Sequence, residues 1–299
     1  MYPDPDRKPR FTRLDLVIIG LVVAFAAFIS YRVSDVLIYK WNWSFLPRAF
    51  FRPDPETGGW EPNLLLEGLF TTIRLSIWAM IIASVLGLVL GILGSRMRLL
   101  PRLLSGAYVG LIRNIPPLVF LFVFYFFVSS QIVPALGISR WVRDLGPTAT
   151  WLIDFAAGEP RLLENFIAGV ISLAMFEAAY IAVIVRAGID SVPESQIEAG
   201  KSLGLGPLHL FRLVVMPQAF RAISPPLANQ FIMLVKDSSI VSLISVQELT
   251  FVGTELAISS QRRFEVYIVV AVLYFVLCFF LSRLFARIER RHRLRYGGH

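Results

Sequence analysis

Long apolar runs divide this chain, each bounded by polar or charged residues: 16–31, 66–93, 103–128, 164–189, 223–244 and 264–286. Most exceed the ~18 residues needed to cross a ~30 Å hydrocarbon core as a helix. Lipid offers no partner to backbone N–H and C=O groups, so such runs must satisfy themselves as helices. The pattern predicts an all-α polytopic membrane protein with six spans, one N-terminal and five forming a core. The first run follows a basic stretch and could be read as a signal peptide. An uncleaved span is preferred, because the run is long for that role and no small-residue cleavage site follows. The loop 32–65 carries Trp41, Trp43 and Trp60, a composition suited to headgroup level, with turn residues at Pro53, Pro55, Gly58 and Gly59. The loop 129–163 contains Ser139–Leu145 and Trp151, which suggest a short interfacial helix.

The pattern breaks most clearly at Val192–Pro217, VPESQIEAGKSLGLGPLHLFRLVVMP, a polar hinge between the fourth and fifth runs. Pro193 suits a first helical turn, Ser191 could cap it, and Gly204 with Gly206-Pro207 ends it. These signals predict a helix over Pro193–Leu203 and a second over Leu208–Val215, stopping at Met216-Pro217. Ile197, Gly200 and Gly204 share one face, which the two glycines leave nearly flat. Glu194, Glu198 and Lys201 share another and can pair with each other. On this pattern alone, a solvated connector and a docking element remain open. Ser195–Ser202, SQIEAGKS, approaches the phosphate-cradling G-x-x-x-x-G-K-[ST] loop. It lacks the first glycine and a preceding strand, so nucleotide binding is set aside.

Composition fits the membrane reading: 56% of the 299 residues are hydrophobic and only 17% charged, against ~45–50% and ~25% in soluble domains. The net charge of +8 does not call for nucleic acid. Basic residues cluster in the N-tail, at Arg96, Arg98 and Arg102, at Arg186, Lys201, Arg212 and Arg221, and from Arg283 onward, 17 in all. Beyond Arg32 at the edge of the first span, the intervening loops hold eight: Lys40, Arg48, Arg52, Arg140, Arg143, Arg161, Arg262 and Arg263. That bias places both termini and the polar hinge in the cytoplasm. The expected layout is a cytoplasmic tail (1–15), a first span (16–31), an external loop (32–65), a membrane domain (66–287) and a basic cytoplasmic tail (288–299). Cys278 is single and inside the last run, so it reads as packing. No catalytic signature, metal-ligand cluster or cofactor motif stands out, and a membrane enzyme is disfavoured.

Ionisable residues within spans are costly and mark functional candidates: Arg74, Arg113, Glu177, Lys236 and Asp237. Arg113 precedes Pro116-Pro117, which kinks a helix and frees carbonyls; it could equally snorkel to the interface. Glu177 either faces a pore or pairs with Arg74 or Lys236. Lys236 and Asp237 are adjacent, so each needs its own partner, whether in a gate or in structural pairing. Asn229 and Gln230 suit hydrogen bonds between helices.

At this point the chain resembles a known family. Glu198-Ala199-Gly200, Gly204 and Val214-Val215-Met216-Pro217 are similar, without gaps, to the EAA loop of ABC importer permeases (E-A-A, three residues, G, nine residues, I-x-L-P). AYIAVIVRAG (179–188), PPLANQFIMLVKDSS (225–239), Arg113–Leu118 and GLFTTIRLS (68–76) are similar to the branch serving histidine, glutamine, glutamate and general L-amino acid uptake. The resemblance covers about 67–286 and implies a type I importer transmembrane domain in a bacterial inner membrane. It implies a second permease subunit, identical or related, and an ATPase dimer that carries ATP and Mg2+ and receives the coupling loop (Glu198, Ala199, Gly200, Gly204, Pro217). It also implies a periplasmic or lipid-anchored solute-binding protein. Arg113, Glu177, Lys236 and Asp237 become candidates for the translocation path. Two positions depart from the branch: Val183 stands where Glu is usual and Phe120 where Gln is frequent. The alternative from another class is a secondary transporter or channel driven by an ion gradient, which needs no such loop.

Overall fold

A computed structural model describes residues 12–36, 39–54, 58–95 and 99–296. Most of the expected N-terminal tail (1–11), Pro55 of the loop turn, and Arg96 and Arg98 lie outside the described residues. The chain falls into two units, Met1–Trp43 and Ser44–His299.

The first unit is built on α1 (Arg13–Val36). It starts before the apolar run because Thr12 and Asp15 form a reciprocal cap. The Thr12 N–H donates to Asp15 Oδ2 at 2.7 Å, and the Asp15 N–H to Thr12 Oγ1 at 3.3 Å. Trp41 and Trp43 stack at 5.8 Å beyond it.

The second unit opens with α2 (Leu46–Phe50) and a hairpin of β1 (Phe51–Pro53) and β2 (Trp60–Pro62), in which Arg52 faces Glu61. Then come α3 (Leu64–Gly94), α4 (Leu99–Arg113), α5 (Pro117–Phe124), a π turn (Tyr125–Ser129), α6 (Ser130–Ala135), α7 (Ile138–Arg143) and α8 (Pro147–Ala157). A 3-10 turn (Pro160–Leu162) leads into α9 (Leu163–Asp190), followed by the short α10 (Glu194–Ser202) and α11 (Pro207–Leu210). A second π turn (Phe211–Val215) runs into α12 (Met216–Asp237), a 3-10 segment (Ser238–Ile244), α13 (Leu249–Ser260) and α14 (Arg263–Tyr296). Among the described residues, six helical stretches are long and apolar enough to cross a membrane: 13–32, 64–94, 117–135, 160–190, 207–244 and 263–291.

The centre of the unit is the contact between α3 and α9. Beyond Ser76, α3 is apolar around nearly its whole circumference, so periodicity of hydrophobicity does not select its inner face there; residue size does. Ala79, Ala83, Gly87 and Gly91, four residues apart, form a buried stripe. A Cβ on Gly87 would lie 2.6 Å from Ile181 Cβ, and one on Gly91 2.6 Å from Val185 Cβ. Small residues at helical spacing let backbones approach where lipid gives no hydrophobic drive to association. α9 is accordingly the most buried of the spans.

One expected span is corrected. The run 103–128 is not a single helix: α4 ends at Arg113 and α5 begins at Pro117. Pro116 has extended backbone (φ −55°, ψ 138°) and Pro117 opens the next helix, because a proline removes one helix hydrogen bond and disfavours helical geometry in the residue before it. The apolar stretch long enough to span is 117–135. α4 instead lies against α3 and α9, where Ser105 Oγ donates to the Leu90 carbonyl at 2.7 Å and the Tyr108 hydroxyl to that of Met175 at 2.6 Å. Within the expected loop 129–163, α6 continues the preceding span and two further short helices, α7 and α8, follow where one was expected. Trp78 Nε1 ties α8 to α3 through the Ala156 carbonyl at 2.9 Å.

Candidate functional site

The polar hinge folds as α10, a tight turn and α11. Ser191 does not cap α10: it is the C-cap of α9, and its hydroxyl donates to the Gly188 carbonyl at 2.7 Å. Pro193 occupies the N-cap position of α10 with extended backbone. The far end of α10 closes as a Schellman motif. The Gly204 N–H donates to the Lys201 carbonyl at 2.9 Å and the Leu205 N–H to that of Gly200 at 3.1 Å, with Gly204 in the left-handed region at φ +76°.

The two glycines of the flat face do different jobs. A Cβ on Gly200 would run into Leu210, with Leu205 and Val214 at 3.6 Å. Ile197 and Gly200 are both buried, Gly200 against the second half of its own loop, so this face is not open to a partner. A Cβ on Gly204 would meet nothing within 4 Å. The outward face is apolar at its tip: Leu203 is 81% exposed and Leu208 73%, with Glu198, Ala199, Lys201 and Ser202 exposed beside them. The expected pairing of Glu198 with Lys201 does not form among the described residues, which leaves both charges available.

Nor does the second helix end at Met216-Pro217. The chain stays helical from Pro207 through α12. Pro217 cannot donate to the Leu213 carbonyl and would crowd it. The wide π turn Phe211–Val215 just before it absorbs the mismatch, and Gln218 Nε2 reaches back to the Val214 carbonyl at 3.0 Å.

The intramembrane candidates separate into two groups. Glu177 is fully buried in the middle of α9, and its Oε2 accepts a hydrogen bond from Gln230 Nε2 of α12 at 2.6 Å. Oε1 of Glu177 has no hydrogen-bond partner among the described residues. The partners named from sequence, Arg74 and Lys236, are not the ones Glu177 meets. Lys236 is exposed. Arg113, also exposed, sets its guanidinium 5.4 Å from the centre of the Tyr180 ring. Phe120 is buried against Phe124 and Phe176, while Val183 is 36% exposed on α9.

A further polar cluster was not anticipated. Glu248 is fully buried at the N-cap of α13. It accepts from the Phe251 N–H at 2.9 Å, the Tyr274 hydroxyl at 2.5 Å and Thr72 Oγ1 at 3.3 Å, joining α3, α13 and α14. Burial pushes its carboxyl above the ordinary range, and the donors pull back. Glu248 lies outside the long apolar runs, so the rule that flagged charges within spans passed over it.

Comparison with known proteins agrees with this architecture. Residues 83–294 match the family described as binding-protein-dependent transport system inner membrane component. The octopine transport system permease protein OccM of Rhizobium radiobacter is 32% identical over 226 residues, covering 75% of this chain and 84% of the relative. The probable glutamine ABC transporter permease protein GlnM of Bacillus subtilis is 32% identical over 229 residues, covering 77% and 93%. Among solved structures, an amino acid ABC transporter crystallised with histidines superposes with a TM-score of 0.60 at 32% identity, covering 76% of this chain and 94% of that one. With its six apolar helical stretches and type I importer fold, the chain belongs to the binding-protein-dependent transport system inner membrane component family.

Proposed function

We propose that this chain is the permease subunit of an ATP-driven importer of an amino acid or a similar small polar solute. In this reading α10 and α11 dock on a separate ATPase. Family membership supports the import role, and the names of its relatives, octopine and glutamine permeases, support the solute class. The observation that carries the coupling role is the exposed tip of the loop. Leu203 and Leu208 face outward from a turn fixed by a Schellman motif, while Ile197, Gly200 and Leu210 hold the turn from behind. An apolar tip beside free charges is a docking surface, since exposed apolar clusters rimmed by polar groups mark partner contacts.

ATP and Mg2+ belong to the partner, a dimer that receives one loop from each of two permease subunits, and a solute-binding protein delivers the solute from outside. Both termini face the cytoplasm of a bacterial inner membrane. Glu177, Asp237, Arg113 and Lys236 line or gate the path. The test is co-purification and ATP-dependent uptake with the Leu203→Asp/Leu208→Asp variant. Both side chains are exposed, so folding and membrane insertion should persist, while the ATPase no longer co-purifies and uptake falls at least tenfold. Normal uptake by this double variant would falsify the coupling role, and uptake that needs an ion gradient but no ATPase would favour a secondary transporter instead.

A further inference from the structure

The last helix carries a basic face at its far end. α14 starts beside the start of α3, since one buried cluster holds Leu65 of α3 together with Val266 and Val270 of α14. That end of the bundle, where α3 and α9 begin, also holds an open cavity of about 680 Å3. From there α14 runs towards the end that carries the loop. Its predominantly apolar part, Phe264–Ser282, is 19 residues, roughly 28 Å at ~1.5 Å per residue, which matches a ~30 Å hydrocarbon core. Arg283 stands at the edge of that part. Arg287, Arg290 and Arg291 follow roughly 6 to 12 Å further on, across and just past a headgroup layer of ~5–8 Å.

The four arginines share one side of the helix. At about 100° per residue they fall within an arc of roughly 100°, and all four are exposed. Followed back into the apolar part, the same arc carries Val276, Phe279 and Phe280, which are 40%, 44% and 67% exposed. Arg283 is held to this arc by Phe279, with its guanidinium 5.0 Å from the ring centre. Phe285 lies on the opposite side and packs on Phe231 of α12, ring centres 5.9 Å apart. Glu289 also lies away from the arc. The arginines therefore turn outward from the bundle, and they have no carboxylate partner among the described residues.

What covers such a face must be anionic at one end and apolar above it. A soluble protein would answer the arginines but leave Val276 and Phe280 to lipid. A second copy about a two-fold axis would bring like charges together. A phospholipid with a net negative headgroup meets both demands. The guanidinium fork matches phosphate oxygens in pairs, and basic clusters at the end of a span favour anionic lipid. We infer that this face of α14 binds an anionic phospholipid of the leaflet on the loop side. Arg283, Arg287, Arg290 and Arg291 hold its phosphodiester, and its acyl chains lie along Val276 and Phe280. This goes beyond the import reading and does not rest on it.

The test is native mass spectrometry of the full chain, delipidated in a neutral detergent and offered cardiolipin, phosphatidylglycerol and phosphatidylcholine in equal amounts. The wild type should retain the two anionic lipids at least fivefold over phosphatidylcholine. Inorganic phosphate in hundredfold excess should not displace them, because a free ion makes no apolar contact. Arg287→Gln/Arg290→Gln/Arg291→Gln should lower the preference at least threefold with no change in the thermal unfolding midpoint. The corresponding triple Lys variant keeps the charge, loses the forks and should fall between. Arg140→Gln/Arg143→Gln/Arg263→Gln removes the same charge from exposed positions elsewhere and should keep the wild-type preference. No preference in the wild type, an equal preference in the triple Gln variant of α14, an equal fall in the control, or displacement by phosphate overturns the lipid site. A triple Gln variant that keeps its lipids but no longer co-purifies with the ATPase assigns the face to that partner and also overturns it.

Discussion

Glu248 shows how much a single buried residue can hold. Three donors from three segments converge on its carboxylate. Glu248→Ala would leave the Phe251 N–H without an acceptor, at about 1–3 kcal/mol for a buried donor, and would leave the Thr72 hydroxyl only the Gly68 carbonyl and the Tyr274 hydroxyl only Thr250; it should lower the unfolding midpoint of the detergent-solubilised protein by several degrees. Glu248→Gln keeps the shape and one acceptor oxygen and should cost less. The pH dependence has a definite sign. Burial raises the folded-state value above the ordinary 4.5, so the folded form holds its proton more tightly than the unfolded one. The contribution is full below the ordinary value and is lost as pH rises through the raised one. The wild-type midpoint should therefore fall over that window, and Glu248→Gln should flatten the curve. At Gly204 the issue is backbone geometry. With φ at +76°, a β-branched side chain costs at least ~1–2 kcal/mol. Gly204→Val should reduce ATP-dependent uptake on the order of tenfold, with Gly204→Ala intermediate. Because a Cβ there meets nothing inside the chain, the loss reports on the turn and its partner rather than on the core.

At the scale of elements, two devices shape the bundle. The first is the small-residue stripe of α3. Gly87→Leu or Gly91→Leu would drive a side chain into Ile181 or Val185 at their branch points, atoms too close to the backbone to swing away. Overpacking of this kind costs about 1–3 kcal/mol or more. Either variant should shift the size-exclusion profile towards aggregate, while Gly106→Leu on α4, with open space around it, should not. The second device is the handling of proline. Pro116-Pro117 breaks a helix, whereas Pro217, two residues after a π segment, does not. The difference lies in what precedes each proline. A run of helical residues that widens by one position can accommodate the missing donor, but two prolines in succession force the first into extended backbone.

For the whole molecule, the loop and the cavity sit at opposite ends of α9, a helix of 28 residues and so roughly 42 Å long at ~1.5 Å per residue. If the distribution of basic residues sets orientation, the two ends face opposite sides of the membrane. In a Cys278→Ser background, Leu203→Cys should react with a membrane-impermeant maleimide only in inside-out vesicles. Trp60→Cys, on the hairpin near the cavity, should react only in right-side-out vesicles. The reverse pattern would invert the topology.

The sequence by itself determined what depends on local pattern. Apolar run length settled the class, glycine and proline placed α10 and its stop, and the motif at Glu198–Pro217 pointed to the family. It also flagged Arg74 and Glu177 as charges in apolar surroundings, since that cost is visible without knowing the neighbours. Only the tertiary structure decided who those neighbours are. Glu177 meets Gln230, 53 positions away, and Arg74 lines an open cavity at the start of α3 and α9. Gly200 turned out to serve the loop's own packing, and the apolar docking tip fell to Leu203 and Leu208. Each of these outcomes depends on which helix faces crowd together in space, and helices that are apolar on all sides carry no sequence period from which that facing could be read.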